Sequence, residues 1–116
     1  MEQTVFELEL LEEARDFLKS LSKDVWLKIG RNIRRVQKGE RDNELFKKLG
    51  NTEIWEFCTL YNKTYYRLFA FWDKESNTLV VATHGIVKKS QKTPPNEISK
   101  AESIRKKYFE IKNKQL

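Results

Sequence analysis

The strongest constraint on the fold is a set of three apolar segments, residues 54–60, 64–72 and 78–87, separated by gaps fit only for reversing turns. Asn62-Lys63 suits the two-residue turn of a tight hairpin, and residues 73–77 supply the second reversal. Loops this short leave no room for a crossover helix, so the segments must run antiparallel as a meander. The third segment contains Leu79-Val80-Val81-Ala82-Thr83, apolar on both faces. It therefore reads as a central strand covered from both sides. Two further layers are needed to cover such a sheet.

The rest of the chain offers them. Residues 5–8 alternate in strand fashion and open the domain. Leu11, Ala14, Phe17/Leu18 and Leu21 then fall at helical spacing. Ser22 is placed to cap a second helix, with Asp24 in its first turn. That helix carries Val25, Ile29, Ile33 and Val36 on one face and Arg31, Arg34, Arg35 and Lys38 mainly on the other. The two form a helical hairpin that must pack on the sheet. Residues 39–50 read as a polar connecting loop anchored by Leu45, Phe46 and Leu49. After the sheet, Thr93 is the expected N-cap and Pro94 the first position of a closing helix, where a missing N–H costs nothing. Its apolar stripe is Ile98, Ala101, Ile104, Tyr108 and Ile111, with residues 112–116 as a frayed end. The expected order is β-α-α-β-β-β-α: one α+β domain over residues 1–116, a helical hairpin on a mainly antiparallel four-stranded sheet, and a C-terminal helix that closes it.

Charge is distributed unevenly. Residues 88–116 hold nine Lys/Arg against three Glu, while residues 1–87 hold fourteen against fourteen, so the whole net charge of +6 lies in the last quarter of the chain. Such a bias marks a polyanion-binding face. The single cysteine, Cys58, excludes an internal disulfide, and no Cys/His pairing of the zinc type is present. Acidic residues interrupt the first apolar run, which is unlike a signal peptide, and no stretch is long enough to span a membrane. The expected location is the cytoplasm. With four glycines and no Ser-His-Asp order, paired catalytic carboxylates or glycine-rich phosphate loop, most enzyme classes are excluded and no cofactor or metal is expected.

One group of residues remains as a candidate site. The two-residue turn at 62–63 sets Cys58 opposite Arg67, with Glu56 one diagonal away on the same face. Lys88, Lys89 and Lys92 crowd the connection from the third strand to the last helix, and His84, the only histidine, shares a side with Lys88. Each feature also has a plain structural reading: a cross-strand ion pair, a solvated loop, a packed core histidine. Together they form a cationic surround for a phosphodiester. Cleavage of RNA by its own 2′-hydroxyl is chemistry such groups can run. It needs a base for the 2′ proton, cations for the dianionic phosphorane and an acid for the 5′ oxygen. Base and acid stay open among Lys88, Lys89, Lys92, His84 and Tyr66.

Trp55-Glu56-Phe57, Tyr66-Arg67-Leu68-Phe69, and His84-Gly85 followed by Lys88-Lys89-Ser90-Gln91-Lys92-Thr93-Pro94 and Glu97-Ile98-Ala101 resemble the RelE/ParE superfamily, in its HigB-like, phage-derived branch. The resemblance spans nearly the full chain, and the strand-to-helix block is its specific part. It implies a microbial-RNase-like fold and a type II toxin that is a ribosome-dependent, metal-independent mRNA endoribonuclease. It also implies neutralisation by a HigA-like helix-turn-helix antitoxin. By the same resemblance Arg67, Lys88, Lys89 and Lys92 carry the cationic site, and Glu56 orients Arg67. Cys58 departs from the pattern, which usually has arginine there. One lost charge-assisted contact to a transition-state phosphate is worth on the order of 2–4 kcal/mol, so the resemblance predicts an attenuated toxin. Two other functions compete: a ParE-like inhibitor of DNA gyrase, and a catalytically silent RNA- or antitoxin-binding remnant.

Overall fold

An opening strand and a pair of helices precede four strands that pair in chain order. The computed structural model describes residues 4–76 and 79–114. The elements are β1 (Glu7–Leu10), α1 (Glu12–Lys19), α2 (Lys23–Gln37), β2 (Phe46–Lys48), β3 (Ile54–Tyr61), β4 (Thr64–Asp73), β5 (Leu79–Lys88) and α3 (Pro95–Lys114). They form a five-stranded mixed sheet in the order β1-β5-β4-β3-β2. The β3-β4-β5 meander is antiparallel, and β1 adds to β5 in parallel.

The hairpin turn falls where its chemistry demands. Asn62 and Lys63 both adopt positive φ, 49° and 62°, the pair of left-handed residues that a type I′ turn requires. This turn fixes the register, and Cys58 does face Arg67 across the two strands. The second reversal runs through a 3-10 turn, Lys74–Ser76; Asn77 and Thr78 lie outside the described residues.

Two layers cover the sheet. On one face α1 and α2 pack Ala14, Val25, Ile29, Ile33 and Val36 against Phe6, Phe57, Leu68, Ala70, Val80 and Ala82. Phe17 of α1 lies so close to β5 that a Cβ on Gly85 would sit 2.1 Å from its ring, so glycine is what permits the approach. On the other face α3 sets Ala101, Ile98, Tyr108 and Phe109 against Ile54, Phe69, Phe71 and Val81.

Several expectations need correction. The opening strand lies at 7–10, not 5–8, because its partner is β5 and the pairing starts at Glu7 opposite Leu79. The loop at 39–50 contains a fifth strand, β2, whose Phe46 stacks on Phe57 at 4.3 Å and on Trp55 at 4.7 Å. Ser22 stands at the N-cap of α2 without a side-chain capping bond. Helix α3 starts at Pro95, one residue late, because the Thr93 hydroxyl donates to Glu56 Oε1 at 2.8 Å and is drawn away from the helix end. Its stripe is completed by Phe109, whereas Ile111 is half exposed. Lys112 is no frayed residue: it donates to buried Asp73 at 2.7 Å, as does the Tyr108 hydroxyl, and the helix runs to Lys114. Gln115 and Leu116 lie outside the described residues.

Candidate functional site

The lower half of the sheet face that α3 leaves uncovered carries the site. A β-bulge creates it. Phe69 pairs with His84 and Ala70 with Ala82, so Thr83 is an extra residue on β5. Val80 and Ala82 face the helical hairpin; after the bulge the alternation reverses, and His84, Ile86 and Lys88 share the α3 side with Phe69 and Arg67. Without the extra residue, Lys88 would point to the opposite face from Arg67.

Arg67 is the organising group. It is 2% exposed, and its Nε lies 2.9 Å from Oε1 of Glu56, which is 1% exposed. The Nε–H does not point along that line, so charge and not a directed hydrogen bond joins the pair. The fork points elsewhere: Nη1 donates to the Ser90 carbonyl at 3.1 Å and Nη2 to that of Gln91. Its plane lies over the Tyr65 ring at 5.0 Å. Glu56 in turn accepts from Thr93. The connection from β5 to α3 is thus clamped at three points, Ser90, Gln91 and Thr93, and Lys88, Lys89 and Lys92 are exposed along it.

His84 is placed differently. It is buried and stacks on Phe69 with ring centroids 4.9 Å apart. Its Nε2–H donates to Glu97 Oε1 at 3.0 Å, and Nδ1 accepts from the Thr83 hydroxyl at 2.9 Å. Burial pushes its pKa down, partly opposed by Glu97, so the ring is neutral at physiological pH. Both nitrogens are engaged inside the protein, joining β5 to the first turn of α3. Tyr66 turns to the helical hairpin face.

The structure thus brings Glu56, Cys58, Arg67 and Lys88 to one end of one face and ties to it the loop that bears Lys89 and Lys92, while His84 lies beneath and Tyr66 behind. Tyr65, missed in the sequence, flanks Arg67; its strand alternation with Arg67 was the available signal. Beside the clamp opens a cleft of about 560 Å³ between α2, the 42–45 segment and β3, with Cys58, Tyr65, Arg67 and Gln91 among its lining. Cys58 is half-buried there. Burial raises its thiol pKa, opposed by Arg67, so the thiol is protonated at neutral pH. Among the described residues no group of three or more His, Cys, Asp or Glu could hold a metal ion, and no helix is long and apolar enough to cross a membrane.

Comparison with known proteins adds the following. The model of the phage-derived Gp49-like protein family (DUF891) matches residues 16–106. Among solved structures, a free-state arginine-to-alanine double mutant of the E. coli toxin RelE superposes with a TM-score of 0.55 at 19% identity, covering 87% of this chain and 93% of that one. The RelBE2 toxin-antitoxin complex from Mycobacterium tuberculosis gives 0.49 at 18% identity, covering 75% and 95%. An archaeal RelE-RelB complex from Pyrococcus horikoshii OT3 gives 0.48 at 12%, covering 76% and 99%. At these identities the likeness is one of fold, and the fold is RelE-like. No curated protein matches the chain.

Proposed function

The chain belongs to the Gp49-like family of phage-derived proteins, and from that premise we propose that it is the toxin of a type II toxin-antitoxin pair and cleaves mRNA on the ribosome. The observation that carries the reading is the clamped lysine loop. Three exposed ammonium groups stand on a backbone held to the sheet by a buried Arg67–Glu56 pair. A solvated loop needs no such anchor; a phosphate surround does, because cations stabilise a transition state only when their positions are fixed beforehand.

In the proposed reaction the scissile phosphate rests among Lys88, Lys89 and Lys92. The 2′-hydroxyl of the upstream ribose attacks the adjacent phosphorus, the P–O5′ bond breaks, and the products carry a 2′,3′-cyclic phosphate and a 5′-hydroxyl. One lysine, as its free amine, takes the 2′ proton, and another, as the ammonium, protonates the leaving oxygen. The remaining positive charge offsets the second charge of the phosphorane. No metal is required for these steps. Arg67 and Glu56 position the loop, and His84 fastens α3 beneath it. A HigA-like helix-turn-helix protein is the proposed antitoxin, and the cytoplasm the place where both meet the ribosome.

Cys58 supports a second reading. An arginine at that position would add a cation beside Arg67, and its absence leaves either a slower nuclease or a silent RNA- or antitoxin-binding remnant. Inducible expression of this chain and of Cys58→Arg, with mapping of mRNA 5′ ends, separates the possibilities. New ends inside translated codons are expected from both, more abundant by about 30- to 1,000-fold in the arginine form. Cuts from neither form would leave the remnant. Growth arrest with intact mRNA and an induced DNA-damage response would point to gyrase instead.

A further inference from the structure

The lysine loop by itself reads no sequence, because contacts to phosphate position a strand without distinguishing its bases. The cleft next to it has what the loop lacks. At about 560 Å³ it falls within the size range of small-ligand sites. It begins at Gln91, inside the lysine-bearing loop, and its lining also includes Arg67, Tyr65 and Cys58.

Its lining carries charged side chains of both signs, Lys28, Arg35, Asp42, Glu44 and Lys47 among them, and between them two kinds of uncharged group. Leu45, Leu60 and the Tyr65 ring give flat apolar surface, and Leu60 is 46% exposed despite its place in a strand. Asn32, Asn43 and Gln91 give carboxamides. Asn32 spends its amino group on Thr59 at 3.1 Å, which leaves its carbonyl oxygen. Among the described residues the side chains of Asn43 and Gln91 make no hydrogen bond. Apolar faces with donors and acceptors at the edge are the chemical description of a nucleobase, and carboxamides can pair with its edge atoms. The floor is open because residue 58 is small. An arginine there would extend over the same face of the sheet, so the cysteine exchanges a cation for room.

We propose that this cleft receives one unstacked nucleobase of single-stranded RNA whose backbone crosses the lysine loop, with the base seated over the Cys58 side chain. The inference rests on the RNA reading above and deepens it: it names the place where base preference is set. Duplex RNA is excluded as the occupant, since its bases are stacked and paired and present no free base to the cleft.

Cys58 is the only cysteine in the chain, so its alkylation reports on the cleft alone. The purified full chain is saturated, by fluorescence anisotropy, with short mixed-sequence 2′-O-methyl RNA, which cannot be cleaved. N-ethylmaleimide modification of Cys58 is then followed by intact mass. Protection by this RNA, with none from an oligomer of equal length built only of abasic residues, is the expected result. The abasic oligomer should still bind through its phosphates, weaker by roughly 5- to 150-fold for one lost base–aromatic contact. RNA that binds without slowing alkylation would overturn the cleft proposal and leave the RNA reading standing. RNA that does not bind at low salt would overturn the RNA reading itself, and the cleft proposal with it.

Discussion

His84 carries the sharpest lesson at the scale of single residues. A histidine beside three lysines invites a catalytic role, yet its surroundings assign it to the core. Two hydrogen bonds and a Phe69 stack hold it in place, and burial keeps it neutral against the pull of Glu97. The consequence for stability has a definite sign. Burial lowers its folded-state pKa below the ordinary 6.5, so the unfolded chain binds the proton more readily and stability falls as pH drops through and below about 6.5. We expect the thermal midpoint to decline between about pH 7 and pH 5.5, above the range where ordinary carboxylates titrate. His84→Gln should flatten that decline while lowering the midpoint at neutral pH. A wild-type midpoint constant over this interval would contradict the assignment. Arg67 teaches the same lesson. Its sequence position marks it as a phosphate fork, but with both Nη groups on backbone carbonyls it serves as a loop anchor.

At the scale of elements, the loop from β5 to α3 owes its shape to a few atoms. Arg67→Lys keeps a cation opposite Glu56 but lacks the planar fork that spans the Ser90 and Gln91 carbonyls. Trypsin should then cut after Lys88, Lys89 or Lys92 several-fold faster than in the parent protein. Because the buried charge stays paired, the variant should avoid the roughly 3–5 kcal/mol lost when one partner of a buried pair is removed. Unchanged cleavage would mean that the loop holds itself. The elements were unequally legible in the sequence. The hairpin at Asn62-Lys63 could be placed to the residue, and with it the Cys58–Arg67 pairing, because positive φ at both positions admits one register. Strand β2 could not: it is three residues long, two of them lysines, and only the tertiary stack of Phe46 on Phe57 and Trp55 makes it a strand. The bulge at Thr83 was equally silent, since one extra residue in a uniformly apolar run leaves no trace in the pattern. Nor could the Thr93 hydroxyl be seen to prefer Glu56, 37 positions away, over the helix it precedes.

For the whole molecule, the layers divide the work. The helical hairpin and α3 cover the two faces of the sheet, and they leave one end of the α3 face open, where the charge excess of residues 88–116 begins. The α+β class, the helical hairpin and the cationic end were all readable from periodicity and charge. The fifth strand was not, and neither was the division of the basic residues into exposed lysines and a buried arginine, because burial depends on which strands become neighbours. The central claim is that the exposed lysines, held by the buried clamp, cut RNA through its own 2′-hydroxyl. The most direct test incubates the purified chain and its Lys88→Gln/Lys89→Gln/Lys92→Gln form with a defined mRNA on purified bacterial ribosomes, and analyses the termini of the fragments. The expected result is fragments with 2′,3′-cyclic phosphate and 5′-hydroxyl ends from the parent chain, and intact mRNA from a triple variant that is equally folded. Intact mRNA from both, or equal cutting by both, would contradict the account.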